Sequence, residues 1–177
     1  MNGRVNLVEG LFKEESPSLY RIAKNFSGWE KRGHHFWDGR VAGIFKAFPD
    51  WLGTYITEKI RLEVLSRFPD IFPEGKAYFD TLDLVRWPVG SSQPPHQDDI
   101  PHKSRLIGSV IYINDDYLGG ETYYPNLSFK VTPVAGNLAL HLGDELHLHG
   151  VTEVSGKDRF TISSFWGNDP SKAHKHS

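Results

Sequence analysis

The stretch "RLIGSVIYINDDYLGGETYYPN", residues 105–126, decides the fold class. Two runs rich in β-branched and aromatic residues, RLIGSVIYIN and ETYYP, flank DDYLGG, a cluster of turn residues. Short strands joined by turns point to a barrel or sandwich and away from a parallel sheet built of βαβ units. The same alternation holds on both sides. YFDTLDLVRW, LSFKVTP, NLALH, ELHLHGV and DRFTISSFW read as strands, and PVGSSQPP, PVAG and LGD as the breaks between them.

Upstream of about residue 76 the pattern is helical. RVNLVEGLF reads as a short entry strand. SPSLYRIAKNFSGWEK carries an N-cap (Ser16), a proline at the first helical position (Pro17) and one apolar stripe through Leu19, Ile22, Ala23, Phe26 and Trp29. KRGHHFWDGR reads as a loop. A second helix is expected from a cap at Asp50 through Leu52, Tyr55, Ile56, Ile60 and Val64 to about Phe68, where Pro69 and Pro73 end it. The expectation is one domain over 1–177, with helical support over about 1–75 and a β core over about 76–167. No repeat, low-complexity tract or linker interrupts it.

Composition narrows the function. A net charge of -2 over 177 residues gives no phosphate-tracking surface, which argues against nucleic acid or an anionic membrane as partner. The absence of cysteine excludes disulfides, thiolate nucleophiles and zinc-finger sites. No leader-like segment and no apolar run of bilayer length is present, so a cytoplasmic protein is the expectation.

Chemistry concentrates in "PPHQDDIP", residues 94–101. On an extended backbone His96 and Asp98 fall on one side, because side chains alternate with period two. Asp99 does not, and reads as an outer acceptor orienting the loop. The flanking prolines are expected to keep this loop stiff and out of regular pairing. Further on, HLGDELHLHGV offers His141, His147 and His149; read as a strand, ELHLHGV puts Glu145, His147 and His149 on one face. Two histidines and a carboxylate with open positions are the set associated with non-haem Fe(II) oxygenases. A lone His-x-Asp more often bonds water or a turn backbone, and periodicity does not choose among the three later histidines. Arg159 would share a strand face with Thr161 and Ser163. A buried arginine there calls for an anion in bidentate contact, unless its head reaches solvent at the strand end.

In order and spacing, HQDD, RLIGSVIYINDDYLGGETYYPN and HGVTEVSGKDRFTISSFW resemble the prolyl-4-hydroxylase-like 2-oxoglutarate/Fe(II) dioxygenases, over most of residues 77–167. VNLVEGLFKEESPSLYRIAKN is similar to that family's strand-then-helix opening. The resemblance implies a mainly β fold with N-terminal helices and a double-stranded β-helix (jelly-roll) core. It implies His96, Asp98 and His149 as iron ligands and Arg159 as the partner of the distal carboxylate of 2-oxoglutarate. Tyr112 and Thr122 fall where the family lines the co-substrate pocket, and Thr161 faces it from the Arg159 strand. Fe(II), 2-oxoglutarate and O2 are the implied cofactors, with ascorbate as a candidate auxiliary. The implied reaction hydroxylates a C–H bond, foremost of a prolyl residue in a peptide or protein, with a small molecule as the other substrate class, and releases succinate and CO2. The segments WPVGSSQPPHQDDIPHKS and GHHFWDGR are placed at the substrate entrance.

Three departures stand out. Trp87 occupies the place of a common pocket tyrosine, Gly108 that of a common threonine, and Phe165, followed by Trp166, that of a tryptophan. A cupin-like module that binds another metal without catalysis is the alternative, and Arg159 and GGET argue against it. Nucleic-acid demethylation predicts a second arginine six residues after Arg159, where Phe165 stands.

Overall fold

The computed structural model describes residues 5–32, 37–100 and 103–172. The chain opens with β1 (Asn6–Val8), α1 (Ser16–Asn25), β2 (Arg40–Gly43), α2 (Ile44–Ala47) and α3 (Asp50–Arg67). It continues with β3 (Tyr78–Trp87), β4 (Gln93–His96), β5 (Ile107–Tyr112), β6 (Leu118–Gly119), β7 (Thr122–Tyr124) and β8 (Phe129–Val131). It closes with β9 (Leu138–Leu142), β10 (His149–Val151), β11 (Val154–Ser155) and β12 (Arg159–Gly167). Six strands form a major sheet in the order β1-β9-β5-β12-β3-β2, and four form a minor sheet in the order β4-β10-β7-β8. Every pairing in the two sheets is antiparallel. This is the double-stranded β-helix, a jelly roll supported by N-terminal helices.

Period-two alternation divides the major sheet between two cores. Leu82, Leu84, Ile107, Ile111, Leu138, Leu140, Phe160, Ile162 and Trp166 turn outward and pack with Leu19 and Ala23 of α1 and with Leu52, Ile56, Ile60 and Val64 of α3. The alternate residues, among them Trp87, Tyr112 and Ala139, turn toward the minor sheet. On β12 this leaves Arg159, Thr161, Ser163 and Phe165 on the inner face. The sheet thus has a greasy back carried by helices and a front free to hold polar chemistry.

Several local expectations are corrected. Glu15, not Ser16, precedes the first turn of α1, and the Ser16 hydroxyl donates back to the Phe12 carbonyl at 2.8 Å. The helix stops at Asn25, so the expected stripe is helical only through Ala23; Phe26 is extended, and the Trp29 indole donates to its carbonyl at 2.8 Å. Asp50 is the first helical residue of α3 after Pro49, and Tyr55 lies off its buried face. The stretch read as helical support also contributes β1 and β2, the two edges of the major sheet. Part of KRGHHFWDGR is β2, beginning at Arg40; residues 33–36 lie outside the described residues.

Two corrections bear on the site. QPPH is not a break: it is β4, an edge strand paired with β10. An edge position tolerates one of the adjacent Pro94 and Pro95, whose missing N–H faces away from the sheet, and the register irregularity between His149 and Val151 accommodates the other. ELHLHGV is not one strand: Glu145–His147 form a 3-10 turn, and β10 starts at His149. The Asp144 carboxylate accepts from the His147 N–H at 3.1 Å and holds that turn. Glu145 and His147 therefore leave the face that His149 occupies. No helix among the described residues is long and apolar enough to cross a membrane.

Candidate metal centre and anion pocket

The pairing of β4 with β10 brings His96 opposite His149 in register, and the turn after β4 folds Asp98 beneath them. Backbone carbonyls orient both rings. His149 Nδ1 lies 3.0 Å from the His147 carbonyl and His96 Nδ1 3.3 Å from the Pro94 carbonyl. A carbonyl only accepts, so each Nδ1 carries the proton and each Nε2 presents a lone pair. Asp98 Oδ1 lies 3.6 Å from His96 Nε2 and 3.9 Å from His149 Nε2. One donor atom from each residue falls within 4.8 Å of the other two, and among the described residues this is the one such cluster.

Three donors at these separations fit a first-row metal with nitrogen and oxygen bonds of about 2.0–2.2 Å. Their protonation fits as well. Burial is the largest influence on Asp98 and pushes its carboxyl up, but His149, His141 and His96 outweigh it and hold it down at about 2. Burial, reinforced by His141 and His96 against the pull of Asp98, takes His149 down to about 3. At neutral pH both already have their ligand forms, a carboxylate and a neutral imidazole.

Asp98 is 5% exposed and His149 is also buried. Asp99 bonds within the loop and to the chain after β9, not to Asp98. Its carboxylate accepts from the Gln97 amide at 2.5 Å and its N–H donates to the Gly143 carbonyl at 3.2 Å. The partner of Asp98 is His141, through Nε2 and Oδ2 at 2.9 Å. His147 is buried in the 3-10 turn, with Nδ1 donating to Asp144 at 2.6 Å.

The second half of the site is on the major sheet. Arg159 is 1% exposed, and its Nε and Nη1 have no hydrogen-bond partner. Its guanidinium carbon stands 4.7 Å from the Trp87 ring centroid and 5.5 Å from that of Tyr112. Around it the Trp87 indole donates to Thr161 Oγ1 at 3.3 Å, and the Tyr112 and Thr122 hydroxyls bond at 2.9 Å. A buried cation with unused donors is costly unless an anion supplies the acceptors, and the planar fork matches a carboxylate. Arg159 and the three clustered donors line one cavity of about 390 Å³. Trp37, Gln93, Gln97 and Ile100 also line it, from the two segments placed at the entrance.

Sequence reasoning missed two residues here. Tyr117 is buried, its hydroxyl has no partner, and burial raises its phenol well above the usual range. Gly120 has φ +64°, and a Cβ on it would lie 2.9 Å from Arg159 Cδ and 2.8 Å from the Tyr117 ring. The GG pair of GGET was the available signal: it is a turn, and it also clears the space behind the guanidinium.

Residues 82–167 match the family model of the 2OG-Fe(II) oxygenase superfamily. No curated protein matches the chain in sequence. Among solved structures, the 2OG complex of the viral collagen prolyl hydroxylase from Paramecium Bursaria Chlorella virus-1 superposes with a TM-score of 0.72 at 18% identity, covering 92% of this chain and 94% of that one. A prolyl-4-hydroxylase from Pseudomonas putida superposes with a TM-score of 0.74 at 15% identity, covering 95% and 94%. The Trichoplax adhaerens prolyl hydroxylase, in complex with a hypoxia inducible factor oxygen degradation domain peptide fragment, gives 0.64 at 18% identity, covering 97% and 86%. The family match is thus to the 2OG-Fe(II) oxygenase superfamily, and the fold is the one these prolyl hydroxylases share.

Proposed function

We propose that this chain is an Fe(II)- and 2-oxoglutarate-dependent dioxygenase that hydroxylates a C–H bond, with a prolyl residue of a peptide or protein as the leading substrate. One observation carries the reading: a single cavity holds three converging metal donors and a buried guanidinium with no protein partner for two of its nitrogens. A plain metal-binding jelly roll has no use for the second feature.

In this reading His96, Asp98 and His149 hold the iron. When bound, the iron supplies O2 activation coupled to oxidative decarboxylation of 2-oxoglutarate to succinate and CO2. Arg159 takes the distal carboxylate of 2-oxoglutarate through its free nitrogens. Trp87 and Tyr112 keep the guanidinium fixed between their rings, and the bond from Trp87 to Thr161 locks the wall behind it. Thr122, which lines the cavity and bonds the Tyr112 hydroxyl behind it, offers a further polar contact to the same carboxylate. Arg159 is buried, which keeps water from the charge pair, while Ile100 on the lining of the same cavity is exposed on the side where a substrate would enter.

The prolyl assignment is supported by the prolyl hydroxylases among the structural neighbours, one of them in complex with a peptide. The test is anaerobic addition of Fe(II) and 2-oxoglutarate followed by optical spectroscopy, then mass-spectrometric screening of proline-containing peptides and small molecules. The expected results are a weak visible charge-transfer band and a one-oxygen mass gain on a prolyl peptide. Metal uptake with no band and no effect of 2-oxoglutarate would leave only a metal-binding module.

A further inference from the structure

We propose that His141 is a positioning residue of the metal centre, which holds Asp98 to a single free oxygen and depends on Gly108 for the space to do so. The proposal rests on the reading of His96, Asp98 and His149 as metal ligands.

His141 lies on the inner face of β9, fully buried, and both of its ring nitrogens are engaged. Nε2 is 2.9 Å from Asp98 Oδ2, and Nδ1 is 3.0 Å from the Tyr124 hydroxyl. A carboxylate only accepts, so Nε2 carries the proton and donates to Oδ2. In the neutral ring Nδ1 then offers a lone pair to the Tyr124 hydroxyl. His141 is held from both sides, between Tyr124 and Asp98.

This arrangement divides the two oxygens of Asp98. Oδ2 is occupied by His141, while Oδ1 faces His96 Nε2 and His149 Nε2. A metal seated among these donors meets one carboxylate oxygen rather than two. Coordination positions that a chelating carboxylate would fill remain open. Partners of this kind orient metal ligands, and their loss typically weakens metal binding about 10–100-fold.

Gly108 of β5 makes the contact sterically feasible. A Cβ there would lie 2.3 Å from His141 Nε2 and 2.7 Å from Asp98 Oδ2, pressing on both ends of the hydrogen bond. The glycine is thus explained by space. An apolar side chain in place of His141 would fill the volume but leave Oδ2 buried without a donor.

The test uses Co(II) as probe, read by direct titration and by its visible absorption, on the wild type, H141L, H141Q, H141N and G108A. Far-ultraviolet circular dichroism and thermal unfolding confirm folding of each. Glutamine reaches as far as the imidazole Nε2 and keeps an N–H for Asp98; asparagine is too short. H141L, H141N and G108A should bind Co(II) about 10–100-fold more weakly and with an altered visible spectrum, and H141Q should recover most of both. Wild-type affinity and spectrum in folded H141L would overturn the proposal. If H141L does not fold, the same result in G108A would overturn it. A wild type that binds Co(II) no better than H96A would instead sink the metal-site reading, which separates the two failures.

Discussion

Arg159 is the residue on which the choice between an oxygenase and a bare metal module turns. Its position on β12 opposite Trp87 places the guanidinium between two aromatic faces, and the inner-face alternation of β12 aims it at the cavity. Removing one partner of a hydrogen-bonded charge pair typically costs about 2–5 kcal/mol, which is on the order of 30- to several-thousand-fold in affinity. Arg159→Ala should therefore lose 2-oxoglutarate affinity on this scale while Co(II) affinity stays within a few-fold of wild type. Arg159→Lys should fall between, since the charge survives and the fork does not. Calorimetric titration of 2-oxoglutarate at saturating metal separates the cases, and unchanged affinity in a folded Arg159→Ala would make the arginine structural. Asp98 calls for a gentle substitution, because it is buried and bonded to His141. Asp98→Asn is expected to abolish metal-dependent turnover with less loss of folding than Asp98→Ala, which strands a buried imidazole donor; parallel melting curves and activity assays check this.

At the scale of elements, the helices support the site without touching it. Ile60 of α3 is fully buried against the outward face of the major sheet. Ile60→Ala should cost about 2–5 kcal/mol of stability through lost transfer energy and a cavity, with metal affinity of the folded protein unchanged. Urea unfolding and Co(II) titration on one sample test both halves. The start of α1 is tied to α3 by Glu15, which accepts from Lys59 Nζ at 2.7 Å and from the Tyr55 hydroxyl at 2.5 Å. Burial is the largest influence on Glu15 and raises its carboxyl, but the Lys59 and Tyr55 hydrogen bonds outweigh it and hold it below the usual 4.5. A depressed carboxyl stabilises the fold above its unfolded value and loses that contribution as pH falls through the folded one. Glu15→Gln should thus be less stable than wild type at pH 7, by at most about 1 kcal/mol for a part-buried pair at the surface. The gap should close as the pH falls below the usual 4.5 and through the lowered folded value, and a gap that widens in acid would contradict the assignment.

For the whole molecule, the two halves of the site belong to different sheets. The metal donors sit on the minor sheet and the turn leaving it, and Arg159 sits on the major sheet. In the proposed reading, metal alone would link β4 to β10, whereas metal plus 2-oxoglutarate would span both sheets. Ligands that bind only the folded state stabilise it by mass action, about 2.7 kcal/mol at a hundredfold excess over Kd. Co(II) should therefore raise Tm in a concentration-dependent way, and 2-oxoglutarate should add a further rise only when metal is present. Chelation should reverse both. A rise from 2-oxoglutarate without metal would place its binding elsewhere.

The antiparallel β class was legible in the sequence because strand alternation and turn chemistry are local properties, and the resemblance of the motifs narrowed it to a jelly roll. From residues 105–126 the alternation and turns extend along most of the second half. Local alternation also put His96 and Asp98 within reach of each other, and Arg159 on a face with Thr161. The sequence by itself did not separate His141, His147 and His149. Periodicity assigns a face but not a neighbour, and the 3-10 turn capped by Asp144 breaks the period just before β10. It also could not show β2, or QPPH as a strand, since edge pairing depends on partners far along the chain rather than on propensity. Only the tertiary structure seated His141 behind Asp98, with Gly108 clearing the space between strands. That contact joins residues 43 positions apart, and sheet registry, not spacing in the chain, brings such residues together.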